Sequence, residues 1–137
     1  IWKIMKVGLA LYSLLSSNGE VSSVVGTRIF PNVAPQTTTF PFIIYEVDGD
    51  DPNDTKDGVS TVDVNNVTVS CYSKSYSDAS DLALKIRTAL DRQSGTHGGV
   101  LIQSIQYDSY NDIFDDNHED GVFRKAIDFN VRIINTA

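Results

Sequence analysis

The strongest structural signal in the chain is the stretch 123–133, which reads FRKAIDFNVRI. Apolar and polar residues alternate along it, which is the pattern of a β-strand with one buried face and one solvated face. The apolar positions are Phe123, Ile127, Phe129, Val131 and Ile133, and the polar positions are Arg124, Asp128, Asn130 and Arg132. A strand of this kind needs neighbouring strands and a layer that covers its apolar face.

Three other stretches have strand character. Residues 42–47 are apolar on both parities, which predicts an inner strand. From residue 61 to 72 the apolar parity changes at Asn65-Asn66, and one extra residue in a strand would cause such a change. We therefore predict a β-bulge there, with both apolar sets on one side of the sheet: Val62 and Val64, and Val67, Val69 and Cys71. A strand over 100–108 follows, then a short piece near Ile113-Phe114.

Two helices complete the prediction. Helical spacing of apolar residues indicates a first helix over about 3–16, ended by Asn18-Gly19. We interpret its apolar run as a helix of the domain, because it is too short to span a bilayer. A second helix begins after Ser77 and buries Ala79, Leu82, Ala83, Ile86 and Leu90. The sequence thus predicts one α+β domain over 1–137, a mainly antiparallel β-sheet with two helices packed on one face.

The charge is unevenly distributed. The formal net charge is −7, and two segments without a balancing number of cations hold most of the acidic groups. The first is Asp48–Ser60, which its turn residues predict to be a loop projecting from the sheet edge; it holds Asp48, Asp50, Asp51, Asp54 and Asp57. The second holds Asp112, Asp115, Asp116, Glu119 and Asp120. This pattern argues against wrapping a nucleic-acid backbone, which requires a basic face.

The sequence offers no recognisable set of catalytic residues. His97 and His118 lie in Gly-rich or Asp-rich stretches, and Cys71 lies within a predicted strand, where a buried, inert thiol is expected. The acidic stretch from Asp48 lacks the Gly and Glu that an EF-hand loop needs at its sixth and twelfth positions. A non-standard oxygen-ligand site in the second acidic segment is the alternative to a solvated loop. We expect no enzyme activity, no cofactor and no metal site.

A run of residues between the first helix and the inner strand resembles a known family. It reads VGTRIFPNVAPQ over 25–36 and FPFIIY over 40–45. The run is similar to one in a widespread family of phage and prophage tail-completion, or tail-terminator, proteins. The helix start YSDA at 76–79 and the strand FRKAIDF at 123–129 resemble that family's later elements, in the same order.

The resemblance implies a structural role in a virion tail or neck, in a particle made in the cytoplasm of a bacterial host. Such a protein caps the completed tail tube as a homo-oligomeric ring, commonly six-fold, and joins it to the head connector. The implied partners are other copies of the chain, the tail tube protein and the head–tail connector protein. DNA passes through without specific binding, and no membrane is involved.

Two sets of residues are candidates for this role. The motif residues are expected to be mainly structural: Gly26, Arg28, Pro31, Pro35, Pro41 and Tyr45. Arg28 is expected to pair with a nearby carboxylate. The ten acidic residues named above are candidates for contacts with partners; the alternatives are that they keep the monomer soluble or line the bore of a ring.

Two other functions remain open at this stage. Another neck component, such as a head-closure or connector protein, would have a similar sequence character. A small ligand-binding α+β module would instead be a monomer with a deep apolar cavity.

Overall fold

A six-stranded sheet forms the centre of the computed structural model, which describes residues 6–35, 37–52, 62–115 and 121–134. The elements in this part of the chain are α1 (Val7–Ser17), α2 (Gly19–Val25), β1 (Ile29–Pro31), β2 (Phe42–Pro52), β3 (Val62–Ser73), α3 (Tyr76–Leu90), β4 (Gly95–His97), β5 (Val100–Asp115) and β6 (Val122–Ile134). The strand order is β1-β2-β3-β6-β5-β4, and only the β1–β2 pair is parallel. The predicted α+β class is confirmed.

The alternating strand predicted at 123–133 is the central strand β6. It pairs with β3 on one side, from Val62 opposite Ile134 to Ser73 opposite Phe123, and with β5 on the other. Its predicted apolar positions from Ile127 to Ile133 are buried. Phe123 is only half-buried, whereas Lys125, on the same parity, is buried.

The helices cover the face of the sheet that holds these buried side chains. Leu11 and Leu15 of α1 and Leu82 and Ile86 of α3 join β3 and β6 residues in one apolar core. The Cys71 thiol, on the same parity of β3, donates a hydrogen bond to the carbonyl of Ala79 in α3. Burying one such aliphatic side chain contributes about 1.5–3 kcal/mol, so this face accounts for most of the apolar stabilisation.

The first helix ends at Ser17 with Asn18 as its C-cap, as predicted. The prediction of two helices missed α2, which the Asn18 side chain caps by accepting a hydrogen bond from the Val21 amide. The helix α3 is capped by Ser75 instead of Ser77. The earlier start brings the Tyr76 ring edge-on to Phe123, at 5.6 Å between ring centroids. In the described part of the chain, no helix is long and apolar enough to cross a membrane.

The predicted bulge at Asn65-Asn66 is wrong. Pairing with β6 runs through both residues without a break, and Asn65 is buried on the parity of Val67, so Val64 faces the other side of the sheet. The parity change in the sequence arises because polar residues, Asp63 and Asn65, occupy buried positions. The irregularity lies in the partner strand β2, where Asp48 is the extra residue between Val47 and Gly49.

The predicted loop at Asp48–Ser60 is also wrong in its first part. The strand β2 continues to Pro52, which pairs with Asp63, while residues 53–60 lie outside the described residues. Acidic residues fit here because β1 reaches only Tyr45, which leaves this stretch of β2 at an outer edge of the described sheet. Charged side chains are typical of such edges.

Similarly, β5 does not end at Asp108. It continues to Asp115, with Ile113 opposite Arg124 and Phe114 opposite Phe123. Its register shifts at Gln103 and at Asp108, so two extra residues interrupt the ladder without ending it. The short piece predicted near Ile113-Phe114 is therefore the end of one long strand.

A two-residue turn ties β4 and β5 to the first helix. Gly98 and Gly99 both have positive φ, 58° and 80°, and they connect His97 to its partner Val100. This is the backbone that two-residue hairpin turns require. A Cβ atom at Gly98 would lie 2.7 Å from the carbonyl carbon and oxygen of Leu9, whereas one at Gly99 would meet nothing within 4 Å. Gly98 therefore allows the turn to contact the α1 backbone.

These two glycines allow a matched test of that contact. Gly99→Ala adds only the cost of a left-handed backbone, about 1 kcal/mol. Gly98→Ala adds the same cost and a clash with α1, so we expect it to lose about 1–3 kcal/mol more. Urea denaturation of the two variants measures the difference. Equal losses would show that the turn does not support α1.

Candidate functional site

The motif segment, residues 25–45, contains the six motif residues, and the Arg28 side chain ties its start to its later part. Gly26, with φ 60°, ends α2, and Arg28 lies two residues further along the chain. The Arg28 Nε donates to the carbonyl of Pro41 at 2.9 Å, and Nη2 donates to the carbonyl of Val24 at 3.3 Å. The expected carboxylate partner is thus replaced by two backbone carbonyls. Arg28 links the end of α2 to the start of β2, which is a structural role.

The prolines and Tyr45 shape the same segment. Pro31 ends β1, the Phe40–Pro41 peptide is cis, and the carbonyl of Pro35 accepts from the amide of Thr38 at 3.0 Å. The Tyr45 ring is buried under α1, 3.4 Å from where a Cβ would stand on Gly8. Burial, with a contribution from the nearby Tyr12, raises the pKa of Tyr45. The motif residues therefore position β1 and β2.

The sheet face opposite the helices carries a row of aromatic and cationic side chains. Phe42 pairs with Tyr72, Tyr72 with Arg124, and Arg124 with Ile113 across four strands. The Phe42 and Tyr72 rings stack at 4.8 Å, and the Arg124 guanidinium lies 5.6 Å from the Tyr72 ring while it donates to Ser70 Oγ. Lys74 lies over Phe40 at 5.1 Å. This row gives one end of the face a positive charge.

The next charged row on this face is acidic. Glu46, Thr68 and Asp128 are register partners, and the Thr68 hydroxyl contacts both Asp48 Oδ2 at 2.5 Å and Asp128 Oδ1 at 2.7 Å. Ser109 donates to the other oxygen of Asp128 at 3.3 Å. Asp48, a predicted partner contact, therefore belongs to a hydrogen-bonded network on the sheet.

The remaining acidic candidates are placed as follows. Asp50 and Asp51 lie in β2 opposite Asn65 and Val64, and Asp115 is the last residue of β5. Asp112 lies in β5 opposite Lys125. The other five candidates lie outside the described residues: Asp54, Asp57, Asp116, Glu119 and Asp120.

Lys125 is a buried charged residue that sequence reasoning missed. Its ammonium group is buried, forms an ion pair with Asp112 and lies 4.7 Å and 5.2 Å from the ring centroids of Tyr76 and Tyr110. Tyr76 OH also donates to Asp112 Oδ2 at 3.1 Å. One signal was available in the sequence: Lys125 occupies an apolar parity position of β6. The cluster joins α3, β5 and β6.

The ionisation of the pair follows from these contacts. The hydrogen bond from Lys125 holds the pKa of Asp112 below its ordinary value. Burial lowers the pKa of Lys125, but the hydrogen bonds with Asp112 and Tyr76 and the charge of Asp112 outweigh burial and leave the pKa raised. Both groups are therefore ionised at neutral pH.

A cleft of about 330 Å³ lies between α3 and β5, beside Lys125. Its walls include Tyr76, Leu84, Arg87, Tyr107 and Tyr110. The Arg87 guanidinium carbon lies over Tyr107, 3.8 Å from the ring centroid. Leu84 and Tyr110 are exposed, so the cleft opens to solvent and differs from the deep apolar cavity that a ligand-binding module would have.

The other reactive residue types have ordinary surroundings. Cys71 is buried, and burial raises the pKa of its thiol to about 12, which leaves it protonated and unreactive. His97 Nε2 lies 2.9 Å from the carbonyl of Ser94 at the surface. Over the residues that the structure describes, no group of three or more His, Cys, Asp or Glu side chains is arranged to hold a metal ion.

The Lys125–Asp112 pair predicts unequal effects of its two substitutions. Asp112→Asn leaves a buried ammonium without its counter-charge, so we expect a loss of about 1–3 kcal/mol in the free energy of unfolding. Lys125→Met removes the charge but keeps the apolar stem, so stability is expected to stay within about 1 kcal/mol of the original or to rise. Urea denaturation measures both; a larger loss for Lys125→Met would contradict this account of the pair.

The lowered pKa of Asp112 gives the ion pair a defined pH dependence. A group with a lowered pKa in the folded state stabilises the fold above its unfolded pKa, about 4, and loses that effect as pH falls through its folded pKa. The stability difference between the original chain and Asp112→Asn should thus be largest near neutral pH and shrink below about pH 4. A difference that stays constant from neutral pH into this range would show that the ion pair does not stabilise the fold.

Comparisons with known proteins agree with the family resemblance that the motif residues indicated. The sequence profile of the family described as "Tail completion protein gp17" matches residues 9–134, nearly the whole chain. A search of curated proteins gave no match. A similar fold occurs in a chain of the solved structure "Virion of native gene transfer agent (GTA) particle", with a TM-score of 0.70, 16% sequence identity and coverage of 92% of each chain. At this identity the structural likeness shows the fold alone.

The profile match covers all the described elements except the first two residues of α1, and it includes the motif residues and β6. The sequence resemblance is therefore confirmed by an independent comparison. The chain belongs to the gp17 family of tail completion proteins and is a structural component of the tail or neck of a phage-like virion.

Proposed function

We propose that the protein assembles as a homo-oligomeric ring on the end of the completed tail tube and joins the tube to the head connector. The family and the virion likeness support the tail position. The observation that carries the ring is a set of large apolar side chains left exposed at one corner of the sheet: Tyr110, Ile113 and Phe114. Apolar groups of this size at a strand end are typical of contacts between proteins.

Ring closure requires head-to-tail contacts, in which two different surfaces of each copy meet. The sheet has two different edges, at β1 and at the far end of β5, and its open face separates an aromatic, cationic row from an acidic row. A six-fold ring, as is common in the family that the sequence resembles, would repeat these surfaces around an axis. The tail tube protein and the head–tail connector protein are the partners above and below it.

We propose that the protein does no chemistry. Three observations support a purely structural role. The Cys71 thiol is buried, His97 lies at the surface, and the Lys125–Asp112 ion pair joins elements of the fold instead of facing a substrate. The acidic residues of β2, including Asp48, favour passage of DNA without specific binding, since carboxylates and phosphates repel. No membrane is part of the proposal.

Another neck component, such as a head-closure protein, is the second candidate. The two functions differ in where the protein lies and in which step fails without it. A tail terminator sets the end of the tube, so its loss releases control of tail length. A head-closure protein acts on the head, so its loss leaves tails of normal length.

Removal of the gene therefore tests the proposal. Particles made without the protein should include tails of uncontrolled length that lack heads, as seen by electron microscopy. Quantification of the protein in intact particles should give several copies per tail, as a closed ring requires. Normal-length, unattached tails would support the head-closure function instead, and one copy per tail would contradict the ring.

A further inference from the structure

The far end of β5 is an unpaired edge of the sheet. β4 pairs with only Val100–Ile102, and Asp91–Gln93 provides the next bonds, to the backbone of Ile105 and the amide of Tyr107. Beyond Tyr107, no strand among the described residues lies on the outer side of β5. We call Ser109–Asp115, with its exposed edge, the β5 corner.

The β5 corner is apolar as well as unpaired. Tyr110, Ile113 and Phe114 are 55%, 40% and 56% exposed. Tyr110 and Phe114 lie on the helix side of the strand and Ile113 on the opposite side, as their partners in β6 show. An outer strand with large apolar side chains on both faces is a surface that a partner would cover.

The opposite edge of the sheet is β1, and it cannot extend the sheet by backbone pairing. The Arg28 carbonyl and the Asn32 amide bond to β2, so the backbone groups of Ile29, Pro31 and Val33 point away from β2, while the Ile29 side chain is buried in the core. Their amides are not available, because the Ile29 amide binds Thr27, Pro31 has none and the Val33 amide binds Pro31. Val33 is 73% exposed. We call Ile29–Pro31 with Asn32 and Val33 the β1 edge.

The two edges differ in charge. The described residues 108–115, which contain the β5 corner, include Asp108, Asp112 and Asp115 and no Lys or Arg, and Asp112 is paired with Lys125 of β6. Residues 21–45, which contain the β1 edge, carry no Asp or Glu and one cation, Arg28, and Lys74 lies over Phe40 beside them. The nearest acids along the chain, Glu20 and Glu46, flank this segment. A copy that presents one edge to the other edge of its neighbour therefore brings unlike surfaces together.

Val33 lies just beyond the end of β1. The strand ends at Pro31, opposite Tyr45, and a turn at Asn32, with φ 63°, brings the Val33 amide back to the carbonyl of Pro31. Asp108 is the extra residue at the second register shift of β5, where the β5 corner begins. Val33 and Asp108 therefore each mark one of the two edges.

We infer that the β5 corner of one copy seats against the β1 edge of the next copy around the ring. This inference rests on the proposed ring and names the two surfaces that form it. Because β1 offers no amide donors, side chains make the contact: the apolar groups of the β5 corner cover Val33 and Pro31, and Asp108 and Asp115 lie by the segment that carries Arg28 and no acidic residue. The blocked β1 edge also keeps free copies from joining into continuous sheets.

Opposite charges placed at Val33 test this contact. Val33→Asp sets a carboxylate against the acidic β5 corner, so incorporation into tails should fall at least tenfold. Val33→Lys also removes the apolar contact but sets a cation there, so it should incorporate several-fold better than Val33→Asp at the same salt. Asp108→Lys alone should also reduce incorporation, and combining it with Val33→Asp should restore it. Incorporation is measured as copies per purified tail at fixed salt, and melting temperature verifies that each variant is folded.

Leu84 provides the matched control, because it is an equally exposed apolar residue on α3, outside both edges. Leu84→Asp and Leu84→Lys should incorporate alike. Equal incorporation of Val33→Asp and Val33→Lys, or no rescue by Asp108→Lys, would overturn the inference while several copies per tail kept the ring intact. One copy of the original protein per tail would instead overturn the ring itself.

Discussion

The fold depends on the one-sided burial of the central strand β6. Side chains from Ile127 to Ile133 on one parity are packed beneath α1 and α3, while the other parity of the same strand faces no described helix. A sheet covered on one side only must leave a second face and its edges for solvent or for partners. In a tail completion protein those remaining surfaces are the ones available for assembly, so burial on one side determines where contacts between copies can form.

The sheet extends beyond the apolar core, and Lys125 positions this extension. The strands β5 and β6 continue past the last residues that the helices bury, and the ion pair of Lys125 with Asp112, with the rings of Tyr76 and Tyr110 around it, holds their ends to the start of α3. Only the Lys125 side of this pair is buried, and the Asp112 side chain is 43% exposed, so the pair adds little stability but positions the two strands. The β5 corner is therefore an ordered strand that carries exposed aromatic groups, and its shape does not depend on a partner.

The sequence predicted those elements that bury an uninterrupted pattern. The β6 alternation and the α3 stripe were both found, as was the inner strand at the start of β2, since apolar periodicity reports directly on burial. The far ends of β2 and β5 were missed because edge strands need only backbone pairing on one side and tolerate Asp and Gly. The bulge was assigned to the wrong strand because Asn65 is a polar residue at a buried position. Arg28 was expected to bind a carboxylate, but backbone carbonyls brought near it by the fold satisfy it instead.

The candidate surface was less predictable than the fold. Acidic residues were recognisable from composition, yet the exposed aromatic groups beside them and the blocked β1 edge depend on strand register, which one sequence does not reveal. The proposed contact requires that the β5 corner be exposed to solvent in the free chain and covered by a neighbouring copy in the particle. Amide hydrogen exchange of Ser109–Asp115, compared between the free protein and assembled tails, measures this directly. We predict that the amides on the unpaired edge exchange rapidly in the free protein and much more slowly in tails, while the amides bonded to β6 are protected in both; equal exchange of the edge amides in both states would contradict the proposed contact.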